Sequence, residues 1–150
     1  MWGIGRLFRV PARKAVTSSG DLGRQGEEIA RRYLTRQGYR VVVAGFTTPI
    51  GRSRGGRQVR AEIDLIAWDE SQSPSTLAFI EVKTRSRGDL IRPEAAVDRR
   101  KQRHLIRAAR VFRRMVRVEN EAFRYDVVSI VIREQGAVPE IALLRNYFHE

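Results

Sequence analysis

In AEIDLIAWDESQSPSTLAFIEVKTR, residues 61–85, three carboxylates and a lysine are set among Ile, Leu, Val and Phe. Glu62 and Asp64 alternate with Ile63 and Leu65, and Glu81 and Lys83 flank Val82. Such alternation is the pattern of half-buried strands. A charge in that setting is costly unless it is paired or holds a metal. DESQSPST, between the two runs, has the composition of a turn, so 61–68 and 77–84 are read as the arms of a hairpin. Ile63, Leu65 and Ala67 then point one way and Glu62, Asp64, Ile66 and Trp68 the other. With Trp68 opposite Leu77, Ile66 faces Phe79, Asp64 faces Glu81 and Glu62 faces Lys83.

Directly opposed residues of an antiparallel pair have Cβ atoms about 4.5 to 5.5 Å apart. Asp64 and Glu81 would repel each other at that distance, and a divalent cation would remove the conflict. Oxygen ligands in a chain without cysteine and with two histidines suit a hard ion, Mg²⁺ or Mn²⁺. The competing reading is a structural ion-pair network neutralised by Lys83 or a nearby arginine. Lys83 itself speaks for the metal. Of 29 basic residues only Lys14, Lys83 and Lys101 are lysine, and an ammonium is a compact point charge with a geometry unlike a guanidinium's.

These residues need elements to hold them. The spacing predicts a helix from Asp21 to Gln37, with Asp21 as N-cap and Gly38 as stop. Its apolar face is Leu22, Gly26, Ile29, Ala30, Tyr33 and Leu34, with Glu27 at the edge and Glu28 on the solvent side. Glu27 taken alone reads as a first-turn acid favouring the helix dipole. A strand is expected over 39–44. TTPIGRSRGGRQVR (47–60) then reads as a flexible basic loop. Its Arg52, Arg54, Arg57 and Arg60 are either a solvated linker or contacts to phosphate. A second helix is expected from Pro93 to about Val116, with Val97, Leu105, Ala108, Phe112 and Met115 as its apolar stripe. Lys101, on or beside that stripe, either reaches a bound phosphate or snorkels at the core edge. His104 reads as a packed core-edge histidine. Strands at 124–132 and 140–148 close the chain, and Asp126 is expected to salt-bridge an arginine.

The chain has 150 residues, 42 % hydrophobic and 31 % charged, which fits one globular domain over 21–150. Residues 1–20 read as a basic flexible tail, against the alternative of a transit peptide. The absence of cysteine excludes disulfides and thiolate sites, and fits a reducing, cytoplasmic setting. No apolar run reaches the roughly 18 residues of a membrane span. The net charge of +12 points to a polyanionic partner, nucleic acid before membrane; an arginine bias of genomic origin is the plainer alternative. Oligomeric state is left open, a homodimer included.

The order is thus α-β-β-β-α-β-β, an α+β arrangement with a mixed central sheet flanked by helices. With it come Glu27, Asp64 and Glu81-Val82-Lys83. In that order and with those residues the chain resembles the PD-(D/E)XK nuclease-like superfamily, whose restriction-endonuclease-like core is αβββαβ. It is more closely similar to the UPF0102 (YraN-like) family through GRQGEEIARRYLTRQGY (23–39), EIDLIAWD (62–69), FIEVKTR (79–85), RKQRHLIRAARVF (100–112) and FRYDVV (123–128). The resemblance implies Asp64 and Glu81 as metal ligands and Lys83 beside the attacked phosphate. It also matches Glu27 to a first-helix glutamate of the Holliday-junction-resolvase branch. Glu62 and Gln102 fit family positions. Ala61 replaces a usual Gly, and the 47–60 segment is longer and more basic than the family's. The implied function is Mg²⁺-dependent hydrolysis of nucleic-acid phosphodiesters, as an endonuclease acting on DNA, with branched DNA a substrate by analogy. Two alternatives are a non-catalytic nucleic-acid-binding protein on the same scaffold and a basic module that docks an acidic protein.

Overall fold

The computed structural model describes residues 19–86, 97–133 and 136–150. Residues 1–18 of the basic tail and Pro93 lie outside the described residues; Ser19 and Gly20, expected in the tail, are helical, and the second helix starts at Arg99 behind Asp98 rather than at Pro93. Helix α1 (Ser19–Arg36) is followed by β1 (Tyr39–Arg52), β2 (Gln58–Asp69), β3 (Thr76–Ser86), α2 (Arg99–Met115), β4 (Phe123–Ile132) and β5 (Glu140–Phe148). The sheet runs β1-β2-β3-β4-β5, with β3 and β4 parallel and the other neighbours antiparallel. A parallel pair needs a long crossover, and α2 lies in that connection. The fold is the expected α+β arrangement, consistent with an αβββαβ nuclease-like core.

Each helix covers one face of the sheet. Ala30 and Leu34 of α1 pack against Leu65, Ala67, Ala78, Ile80, Val128 and Ile130. Leu105, Ala108, Ala109 and Phe112 of α2 pack against Ile66, Leu77, Phe79 and Val127. The Phe112 ring meets Phe46 and Phe79 edge-on, with centroids 5.2 and 6.0 Å away. Met115 was expected on this stripe but is 62 % exposed, being the last residue of the helix. Helix α2 begins behind Asp98, whose carboxylate accepts from the Lys101 N–H at 2.8 Å.

Helix α1 starts two residues before the expected cap, so Asp21 sits in the first turn and pairs with Arg24. It stops where expected, since Gly38 takes φ +89°, a conformation that favours glycine. Gly26 has a different task. A Cβ there would lie 1.7 Å from Thr84 Oγ1, so a hydrogen side chain is what lets α1 touch β3.

The stretch 47–60 is not a loop. Strand β1 continues to Arg52 and pairs with β2 through Thr47–Glu62, Thr48–Ala61, Pro49–Arg60 and Arg52–Gln58. The turn is only 53–57, closed by Ser53 N–H to Arg57 O at 2.8 Å. The strand signal was present: Phe46, Thr48 and Ile50 alternate inward. A polar Thr at the central inward position, with Pro and Gly between, hid it. Pro is tolerated because β1 is an edge strand, and the register shifts between Pro49 and Gly51.

Candidate functional site

The β2–β3 hairpin has the expected register at its mouth, with Trp68 opposite Leu77 and Ile66 opposite Phe79. Its pairing stops at Leu65–Ile80. The expected ladder partners Asp64–Glu81 and Glu62–Lys83 do not form. Instead Asp64 Oδ2 accepts from the Val82 N–H at 2.7 Å, so the side chain serves as the acceptor where the ladder ends. Strict alternation also fails at Asp64. Ala61 and Ile63 join the α2-side cluster with Ile66, while Leu65 and Ala67 belong to the α1 side.

The strands part where the charged residues begin. Glu81 is 3 % exposed. Lys83 Nζ lies 2.9 Å from its Oε1, and Lys101 Nζ lies 3.2 Å from its Oε2. Oε2 is nevertheless a buried oxygen that accepts no hydrogen bond: the Lys101 ammonium is near enough to neutralise it but does not satisfy it. Lys101 is therefore a member of this cluster rather than a snorkelling lysine at the core edge. Asp64 is pushed up to about 7 by burial first and by the Glu81 charge second, against the Val82 N–H and Lys101. Glu27 enters from α1, one residue past the Gly26–Thr84 contact. Its carboxyl is raised by burial, then by Glu62 and Glu81. Glu62 is exposed. Gln102 donates to Val97 O at 2.9 Å and so secures the chain entering α2.

Among the described residues no three Asp, Glu or His close around a single point. The donors present still fit a hard divalent ion. They are carboxylates alone; Asp64 is raised in pKa by burial and by the Glu81 charge, and Glu81 Oε2 is buried without a hydrogen bond. Two lysines hold Glu81 in the competing arrangement, the ion pair foreseen as the alternative.

Arg52, Arg54, Arg57 and Arg60 are all exposed around the β1–β2 turn. Arg52 Nη1 donates to Gly56 O at 2.8 Å and helps close that turn. His104 is half-buried on α2, its pKa lowered by burial and by the surrounding Arg100, Arg107, Lys101 and Arg103.

At the other end of the sheet is a buried polar network that sequence reasoning found only in part. Asp126 does pair with an arginine, Arg124 Nε at 2.9 Å. It also accepts from Tyr39 Oη at 3.1 Å and from the Asn146 N–H at 2.9 Å. Arg124 reaches on to Asp69 of β2. Burial and the Asp126 charge push the Tyr39 phenol up to about 12. Its members lie on β1, β2, β4 and β5, so spacing along the chain carried no signal for it.

The family described as "Uncharacterised protein family UPF0102" matches residues 26–130. The chain belongs to the UPF0102 family. A UPF0102 protein of Solibacter usitatus is 42 % identical over 146 residues, covering 97 % of this chain and 99 % of its own length. Those of Koribacter versatilis and Prosthecochloris aestuarii are 38 % and 41 % identical, covering 84 % and 80 % of this chain and 78 % and 85 % of their own. The UPF0102 match spans Gly26, Glu27, Asp64, Glu81, Lys83 and Lys101, the whole candidate site. No described helix is long and apolar enough to cross a membrane.

Proposed function

We propose that this protein is a metal-dependent nucleic-acid phosphodiesterase, an endonuclease acting on DNA. The observation that carries the reading is Glu81: a buried carboxylate beside Asp64, held by two lysines, with one oxygen accepting no hydrogen bond. Asp64 and Glu81 would hold Mg²⁺ or Mn²⁺, with Glu27 as a third ligand, direct or through water. Such an ion, when bound, polarises the phosphate and lowers the pKa of a water. The chain supplies the rest. Buried strands fix Asp64 and Glu81, and the Val82 N–H sets the rotamer of Asp64. Lys83 stands beside Glu81 and offers a positive charge where negative charge develops on the phosphate. Lys101 places a second ammonium there from the first turn of α2. Arginines of the β1–β2 turn hold the flanking backbone.

The second reading, a binding protein without chemistry, draws on those same lysines, because they already neutralise Glu81. Cleavage of linear and branched DNA with and without Mg²⁺ separates the two. The enzyme reading expects cutting only with the ion, and a loss of about 100-fold or more in Glu81→Gln and Lys83→Ala. Absence of cutting on every DNA and RNA tried overturns it.

A further inference from the structure

The basic charge of this chain is unevenly placed. On α1, Asp21 meets Arg24 and Glu28 bridges Arg31 and Arg32. Helix α2, RRKQRHLIRAARVFRRM, has seven arginines, one lysine and no acid. Arg100, Arg103, Arg107, Arg110 and Arg114 follow one another at three- and four-residue steps and are all exposed. Such steps put them on one helix face, opposite the buried Leu105, Ala108 and Phe112. Arg110 pairs with Glu150. Arg100 interacts electrostatically with the N-cap carboxylate of Asp98; among the described residues Arg103 and Arg107 form no salt bridge, and like charges at such steps on a helix are destabilising in the free protein.

Two contacts tie this stripe to other basic ground. The Asp98 carboxylate interacts with both Arg100 and Lys83, and Lys83 pairs with Glu81, so one end of the stripe lies near the Glu81 site. Arg107 lies across Gly51 of β1, its Nη1 4.0 Å from where a Cβ would be, one residue before the Arg52–Arg60 turn region. We infer that the outer face of α2 and the β1–β2 turn form one continuous surface for the phosphate backbone of duplex nucleic acid, leading to the Glu81 site. From Arg100 to Arg114 the helix rises about 21 Å, the length of roughly six base steps. The exposed residues of that face include no aromatic. Single-strand binders rely chiefly on stacking bases on aromatic side chains, and a face of arginines without aromatics favours phosphate contacts instead. That the bound duplex is also a substrate rests on the function proposed above; the surface does not.

The test is binding without chemistry. Fluorescence anisotropy in EDTA follows a labelled duplex of about 20 base pairs, beside the matching single strand, from about 50 to 200 mM salt. The variants are Arg100→Gln/Arg103→Gln/Arg107→Gln, the same three changed to Lys, and a control of equal charge loss, Arg24→Gln/Arg40→Gln/Arg133→Gln. The Gln triple on α2 is expected to lower the slope of log K against log salt by about 2 to 3, since each phosphate contact contributes about 0.9. Affinity should fall at least about tenfold, while the Lys triple and the control stay close to wild type. A control that falls as far as the α2 triple makes this a net-charge effect and overturns the inference. So does an unchanged slope, or an equal loss on the single strand. An RNA duplex run alongside shows which backbone is preferred. Loss of duplex binding in a protein that never cuts would leave the surface standing and remove the enzyme.

Discussion

Glu81 is nearly inaccessible to solvent, and each oxygen has an ammonium beside it, Lys83 at 2.9 Å and Lys101 at 3.2 Å, yet the second oxygen accepts no hydrogen bond. The sequence showed Asp64, Glu81 and Lys83 because charge stands out against an alternating apolar strand. It did not show how they meet, since the end of the ladder is set by strand divergence rather than residue type. It placed Lys101 only as one of two readings, because a helix-surface lysine carries no signal of what faces it. Asp64 gives a pH test. Its folded pKa of about 7 lies above the ordinary carboxylate value, so folding favours the protonated form. The stability it contributes is complete below about pH 4 and is lost as pH rises through 7. In EDTA, Asp64→Asn should therefore gain on the wild type between pH 5 and pH 8. The gain should be on the order of 2 kcal/mol, because each pKa unit is worth about 1.4 and coupling to Glu81 divides the effect. Melting curves at the two pH values measure it, and a difference that does not change with pH would show that Asp64 is not desolvated.

Helix α1 and the sheet meet through Gly26, and that contact holds Glu27 near the carboxylates. Gly26→Ala should cost about 1 to 3 kcal/mol, since the added methyl overlaps Thr84. Adding Thr84→Gly, which removes the overlapping atoms, should return part of that in urea unfolding; purely additive losses would place the strain elsewhere. At the other end of the sheet, Arg124→Met would leave Asp126 buried without its cation and Asp69 with only Arg145, at 3.8 Å. A loss of about 3 to 5 kcal/mol is expected, and a loss under about 1 would mean that water reaches the network. Helices and inner strands were legible because they bury an apolar stripe or face. The far half of β1 was not, because an edge strand that buries Phe46, Thr48 and Ile50 between Pro, Gly and Arg looks like a loop.

Across the molecule, twelve of the 29 basic residues stand on α2 and the β1–β2 turn without an acid among them, and α2 reaches Glu81 through Lys101. Composition pointed to a polyanionic partner, but only the fold shows that α2 brings Lys101 to Glu81. The proposed function requires Asp64 and Glu81 to take up a divalent ion. Thermal melts of wild type and Asp64→Asn, with and without Mg²⁺, test it most directly. An ion that binds only the folded state stabilises it by mass action, about 2.7 kcal/mol at a hundred times its Kd. Mg²⁺ is expected to raise the melting temperature of the wild type by several degrees, and Asp64→Asn is expected to lose most of that rise. Equal shifts in the two proteins, or none in either, would contradict ion uptake by Asp64 and Glu81.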